Sequence, residues 1–293
     1  MKTTFVCMFL ALLVPAGGAA AGTWKIGSDI NLTLTQNAYS DNWVGGESGS
    51  MSWTLTSLTT AEKQVLELVF NQNTLKLSYG LTYNQNPETH AWGSGDKSTD
   101  LIDLESTYRL TLGTFIEPIV ALRVITQFID QSDPTTDRLL NPLDLTESVG
   151  GARVFIKDDK RQWQTRLGIA ARQIIDRDAF DPASGARATT TENSVGVELV
   201  NDLKTPISQD QILLTSKLTV FQGFYSTEAD DFKGTPQEDD WKYPDINFEN
   251  IFSASITRHI EVNLYLQLLF DRQIDRGVRF KQTLSLGLAY KLL

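Results

Sequence analysis

The two histidines are the first residues to test for catalytic chemistry. His90 precedes Ala-Trp and His259 precedes Ile-Glu, so neither pairs with a serine on the same strand face, as a barrel phospholipase would require. The single cysteine, Cys7, lies far from both in the sequence, and this leaves too few soft ligands for a zinc site. Neither a Walker loop nor a dinucleotide fingerprint occurs.

Paired carboxylates are the other candidates for acid–base chemistry, and Glu105 with Glu198 is one such pair. However, the positions that alternate with apolar residues also hold many arginines. Networks of carboxylates and guanidinium groups are an ordinary filling for a polar barrel interior. We therefore expect no enzyme activity, no catalytic residues and no cofactor.

The acidic stretch Ser226–Asp245 holds seven carboxylates against Lys233 and Lys242. Converging carboxylates could bind Ca²⁺, or a divalent ion could bridge this stretch to lipopolysaccharide phosphates. A solvated acidic loop is the favoured interpretation, so we expect no metal site.

The elements that carry these residues alternate with period two, which is typical of β-strands with one apolar face. We predict twelve strands, with ten or fourteen as alternatives. The alternation is found within residues 29–36, 50–58, 74–84, 103–113, 119–129, 152–157, 163–172, 194–199, 212–220, 246–257, 261–270 and 279–292. Most of these segments approach the roughly 9–11 residues of a membrane-spanning strand.

The connections alternate in length, as in outer-membrane barrels. Long polar stretches are predicted at Asn84–Asp100, Asp130–Glu147, Asp176–Glu192 and Ser226–Asp245, with short turns between them. The apolar segment Thr59–Asn71 fits this scheme poorly. It either extends its two neighbouring strands or caps the periplasmic end.

Residues 1–21 read as a signal peptide, with Lys2, an apolar run from Phe5 to Val14, and a small-residue cleavage site. A retained N-terminal anchor is the alternative. Residues 22–293 then form one domain, which is periplasmic, secreted or an outer-membrane barrel. The chain has 293 residues and a net charge of −10, and this acidic balance argues against a general nucleic-acid binder.

Charges on the non-apolar strand faces favour a transmembrane barrel over a soluble one, whose apolar face would point inward. We predict an all-β, antiparallel, up-and-down barrel in the outer membrane of a Gram-negative bacterium, exported through the Sec pathway. Trp53, Tyr83, Trp163 and Tyr243 are candidates for the interfacial aromatic girdles. The predicted lumen-lining residues are Glu105, Arg109, Arg123, Arg153, Arg166, Arg172, Glu198, Lys217 and Glu249.

The last strand ends with Leu288, Tyr290 and Leu292 in alternation. This pattern resembles the terminal signal that the outer-membrane assembly machinery reads, although the usual last residue of that signal is Phe. Near the predicted mature start, Asn42, Trp43, Gly45 and Gly46 form an N-W-x-G-G segment. The ordinary interpretation of this segment is a hairpin loop.

That segment, with Asn73–Gly80 and Asn141–Ser148, resembles an uncharacterised family of Gram-negative outer-membrane β-barrels. The resemblance implies a barrel and supplies no activity. Two functions remain open. One is a narrow passive channel for small anionic solutes, based on the arginine excess. The other is a non-conducting structural or surface-binding barrel that acts through its acidic loops. The expected partners are outer-membrane lipid, lipopolysaccharide and the assembly machinery.

Overall fold

The computed structural model describes residues 22–39, 48–181, 184–227, 229, 232–257 and 259–292, with side chains as far as Leu288. The predicted signal peptide, residues 1–21, lies outside the described residues. The N-W-x-G-G segment also lies outside them.

Twelve antiparallel strands close into one barrel, which confirms the predicted fold class and strand number. Each barrel strand pairs with its neighbours in the chain, and β1 pairs with β14 to close the ring. A small hairpin, β6 (Ile129–Asp130) and β7 (Arg138–Leu139), lies between β5 and β8. The barrel strands are β1 Lys25–Asn37, β2 Ser50–Leu66, β3 Val69–Asn84, β4 Asp96–Leu110, β5 Glu117–Thr126, β8 Leu143–Lys157, β9 Gln162–Phe180, β10 Arg187–Ile207, β11 Ile212–Ser226, β12 Asp245–Ser255, β13 Ile260–Asp271 and β14 Asp275–Leu292.

The connections define two ends of the barrel. At the short-turn end, where β1 starts, β2 and β3 are joined through Glu67 and Leu68 alone, so Thr59–Asn71 extends both strands and does not form a cap. At the loop end lie the longer segments 85–95, 127–142 and 227–244.

One predicted loop is wrong. Asp176–Glu192 is mostly strand, because β9 continues to Phe180 and β10 begins at Arg187. Pairs such as Thr191 with Ile175 continue the ladder to the loop end. This two-stranded extension contacts polar groups of the hairpin segment, such as Arg138 and Asn141, and needs no apolar alternation. Its polar sequence therefore concealed it.

Alternation along the strands gives the barrel two distinct faces. The outer face carries exposed aliphatic side chains, among them Leu34, Ile169 and Leu284, which are 62%, 56% and 69% exposed. The inner wall carries buried apolar residues, mostly small, on β5, β8, β9, β10 and β11: Ile119, Ala121, Ala152, Ala170, Val200 and Phe221. Among the described residues, no helix is long and apolar enough to cross a membrane.

Candidate functional site: a lumen crossed by ion pairs

Glu105 is the centre of the inner charge network. Its carboxylate, on β4, forms ion pairs with Arg166 on β9 and with Lys217 on β11, the latter at 2.6 Å between Oε2 and Nζ. Four strands, β5, β8, β9 and β10, separate β4 from β11 around the ring. The bond from Glu105 to Lys217 therefore passes through the interior.

A second bridge crosses from β3 to β12. Lys76 forms an ion pair with Glu249, whose carboxylate also accepts a hydrogen bond from the Tyr265 hydroxyl at 3.0 Å. The shorter path between these strands around the ring still passes β2, β1, β14 and β13. Two bridges thus span the lumen between strands that are nearly opposite each other.

Three further inner arginines have carboxylate partners. Arg123 binds Asp103 in a bidentate pair, with nitrogen–oxygen distances of 2.9 and 2.8 Å. Further pairs join Arg109 to Glu117, at 2.6 Å, and Arg172 to Asp144 and Asp245, at 2.9 and 3.1 Å. The arginine excess that motivated the predicted anion preference is therefore balanced in the folded barrel.

Arg153 does not line the lumen, and its prediction as a lumen residue is wrong. It pairs with Thr165, whose side chain lies on the same outer face as that of Leu167, which is 55% exposed. Its guanidinium donates to the Phe115 carbonyl at 3.1 Å and lies 4.4 Å from the Phe115 ring centroid. A register shift between Val154 and Ile156 interrupts the alternation of β8.

Glu198 is buried on β10, where it pairs across to Gly168 and Phe221. Glu105, its proposed partner for acid–base chemistry, already has both carboxylate oxygens bound to cations. The structure therefore places Glu105 in a charge network and leaves no free carboxylate oxygen at that position.

Aromatic side chains lie on the outer face near both ends of the barrel. Phe155 and Trp163 stack at 4.5 Å between centroids near the short-turn end. Trp53 contacts Tyr79, with a centroid distance of 6.0 Å, nearer the loop end. Two of the predicted girdle residues, Trp53 and Trp163, therefore lie near opposite ends of the barrel.

The other two predicted girdle residues, Tyr83 and Tyr243, belong to the loop end. Tyr83 lies one residue before the end of β3, and Tyr243 packs under Arg272, with 3.8 Å between ring centroid and guanidinium.

A second polar cluster orders the loop end. Asn141 is almost fully buried and donates to Asp130 at 3.0 Å and to Asp176 at 2.6 Å, and Arg138 bridges the same two carboxylates. Nearby, the hydrogen bond from Arg187 lowers the pKa of Asp133 well below its usual range. This network joins the hairpin segment to the extension of β9 and β10.

The acidic stretch near residue 240 is held to the barrel by arginines. Asp240 is buried and forms ion pairs with Arg272, at 3.2 Å, and with Arg276, at 2.9 Å. Among the described residues, no group of three or more potential ligands could hold a metal ion. Because Asp240 is buried and paired with two arginines, the expectation of a solvated loop does not hold for this residue.

The strand ends place the predicted assembly signal at the seam between β1 and β14. Leu288 pairs with Leu32 and is exposed on the outer face, and the backbones of Tyr290 and Leu292 pair with Ile30 and Ser28. The predicted loop residues Asn42, Trp43, Gly45 and Gly46 cannot be placed, since they lie outside the described residues.

The sequence predictions missed the partners of the inner cations. Asp103, Asp144, Glu117 and Asp245 were not assigned to the lumen, and neither was Lys76. The alternation in 74–84 and 103–113 puts Lys76 and Asp103 on the polar face, so this signal was present.

Residues 34–131, about one third of the chain, match a family model that is described as a protein of unknown function (DUF3078). None of the curated proteins matches.

Among solved structures, the chain is similar to an outer membrane channel from Pseudomonas putida F1, with 17% identity, a TM-score of 0.42 and coverage of 94% of this chain and 96% of that one. It is also similar to the translocator domain of the autotransporter NalP from Neisseria meningitidis, with 11% identity, a TM-score of 0.38 and coverage of 94% and 90%. A third similar structure is the beta domain of the Bordetella autotransporter BrkA, with 10% identity, a TM-score of 0.32 and coverage of 94% and 100%.

Proposed function

We propose that the mature chain is an outer-membrane β-barrel that contacts lipid and lipopolysaccharide and is inserted by the assembly machinery. The support is the outer face, where exposed aliphatic side chains lie between aromatic groups near the two ends. Such a band matches the lipid-facing surface of transmembrane barrels. In this orientation the short-turn end is periplasmic and the loop end extracellular. Export through the Sec pathway would remove residues 1–21.

The test of location is cell fractionation combined with gel migration. A transmembrane barrel should be recovered in the outer-membrane fraction and should migrate differently before and after boiling. Recovery in the soluble periplasmic fraction, with identical migration of heated and unheated samples, would reject this part of the proposal.

We further propose that the barrel is non-conducting at rest and acts through its extracellular side. The observation that carries this proposal is the pair of bridges, Glu105 to Lys217 and Lys76 to Glu249, between nearly opposite strands. Side chains that bridge a lumen of this width obstruct the axial path of a hydrated solute. The proposed role is structural or surface-binding, without catalysis.

Conductance in planar bilayers tests this arrangement. The wild-type protein should insert without measurable unitary current, while the double variant Lys76→Ala, Lys217→Ala should show discrete openings, because both bridges lose their cation. Arg153→Ala is the matched control, since this cation lies on the outer face.

A wild-type current with anion selectivity would instead support the narrow anion channel, the second candidate. Two inner cations without an ion pair among the described residues, Arg279 and Lys281, favour that candidate. An Arg279→Gln variant that reversed the selectivity of such a current would establish it.

A further inference from the structure

The seam between the first and last strands is paired along only part of its length. Ser28–Thr33 of β1 pair with Gly287–Leu292 of β14. Beyond Thr33, towards the loop end, residues 34–37 pair only with β2, and residues 279–286 pair only with β13. The described strands therefore part in the extracellular half of the seam.

An unpaired strand edge is costly in a bilayer, because no water satisfies its backbone groups. The outer faces of the parted strands are nevertheless apolar. Leu34, Leu284 and Leu286 project outward there, and all three are more than half exposed. The gap therefore faces a hydrocarbon environment on its outer side.

The inner face of β14 is cationic next to this gap, on its loop-end side. Arg279 and Lys281 alternate on the inner face of β14, where they pair with Leu269 and Gln267. Neither forms an ion pair with a described residue, and Nε of Arg279 is buried without a hydrogen-bond partner. Glu249, an acidic group that acts on Lys281, is already held by Lys76 and Tyr265.

We propose that this gap is a lateral portal that binds an anionic single-chain amphiphile from the outer leaflet. The acyl chain would lie against Leu34, Leu284 and Leu286, and the carboxylate would bind Lys281 and Arg279. The proposal rests on the membrane location proposed above. It also gives the barrel an entry that the bridges across its axis do not obstruct.

The inward-facing Arg279 and Lys281 favour an anionic amphiphile at this gap over a strand supplied by another protein. A partner strand would satisfy the backbone edge but would leave two inward cations without a counter-ion from the described residues. A fatty acid supplies both a negative headgroup for the cations and a hydrocarbon chain for the outer face. Charge-assisted bonds to a carboxylate are also the stronger class of hydrogen bond.

The first test measures binding of 11-(dansylamino)undecanoic acid to the full mature chain in a non-ionic detergent, by dansyl fluorescence. Lys281→Gln and Arg279→Gln should each weaken binding about tenfold, because each removes one charge-assisted partner. Lys157→Gln is the control, since this cation pairs with Glu62 near the short-turn end of the same lumen. The methyl ester of the probe should bind at least tenfold more weakly than the acid.

The second test closes the portal with a disulfide. A Leu34→Cys, Leu286→Cys pair continues the register of the seam two residues beyond the pair of Leu32 and Leu288. The mature chain contains no other cysteine if the predicted signal peptide is removed. Oxidation should reduce probe binding at least tenfold and reduction should restore it. The matched Leu32→Cys, Leu288→Cys pair lies within the paired segment and should leave binding unchanged.

The portal is refuted if the stapled Leu34→Cys, Leu286→Cys variant binds the probe as well as its reduced form does. Equal affinity for the acid and its ester refutes the carboxylate site. If the first staple does not form, the charge variants decide between these outcomes. A disulfide between two chains through Leu34→Cys alone would identify a second copy as the occupant and overturn the lipid assignment. Failure of any of these tests in a protein that fractionates with the outer membrane would leave the proposed location intact.

Discussion

Replacement of Glu105 by Gln is the sharpest test of the charge network. The change removes a negative charge that is shared by Arg166 and Lys217, whose side chains are 5% and 26% exposed. Removing one partner of a buried ion pair costs about 3–5 kcal/mol, because the remaining charge is left uncompensated. Lys217 retains some access to water, and the glutamine carbonyl can still accept one hydrogen bond. We therefore expect the lower end of this range, about 3 kcal/mol.

The assay is reversible urea unfolding of the barrel in lipid vesicles, followed by tryptophan fluorescence. Glu88→Gln is the matched control, because Glu88 is an exposed carboxylate in the loop segment 85–95. Its replacement should change the unfolding free energy by no more than about 0.5 kcal/mol. A loss below about 1 kcal/mol for Glu105→Gln would refute the view that its charge is needed by both cations. Combining it with Arg166→Met should recover part of the loss, since this removes the orphaned cation.

Three further predictions concern the loop end and the barrel wall. Arg187 lowers the pKa of Asp133, so the Asp133 carboxylate should stabilise the loop fully above about pH 4 and lose this effect as the pH falls towards the lowered pKa. Protease resistance of the loop, measured as a function of pH, tests this, and Asp133→Asn should abolish the pH dependence. Asn141→Ala should lower the free energy of urea unfolding by about 2–3 kcal/mol, because it leaves the carboxylates of Asp130 and Asp176 without this hydrogen-bond donor. A change within experimental error would contradict a stabilising role for Asn141. Gly168→Ala should destabilise the barrel, since an added Cβ would lie 2.5 Å from the Val149 carbonyl oxygen. An unchanged free energy of urea unfolding would show that β8 and β9 can move apart enough to hold the methyl group.

The alternation of apolar and polar residues was sufficient to predict the number and order of the strands, because each barrel strand presents an apolar outer face over part of its length. It failed where that constraint is absent. Beyond Asp176 the strands lack the apolar outer face, so polar residues continue the ladder and their sequence resembles that of a loop.

Which charges meet inside the barrel was less predictable. The pairing of Glu105 with Lys217 depends on barrel closure, which brings β4 opposite β11, and no local sequence signal encodes that distance. The sequence predicts Arg153 in the lumen because its apolar neighbours, Ala152 and Val154, favour the outer face of β8. The backbone instead shifts register after Val154, and Ala152 lies on the buried inner wall.

The partly paired seam also bears on the order in which the barrel forms. Each of the other eleven interfaces joins strands that follow one another along the ring and the chain, so each closes a short segment. The pairing of Ser28 with Leu292 closes a loop that contains almost the whole chain, so it carries the largest loss of loop entropy of the twelve interfaces. The same interface has the fewest residue pairs to offset that loss. Amides of Ser28–Thr33 should therefore exchange with solvent hydrogen earlier than those between β9 and β10, where the ladder is among the longest. We therefore expect closure of this barrel to be the last event of folding and the first to be reversed.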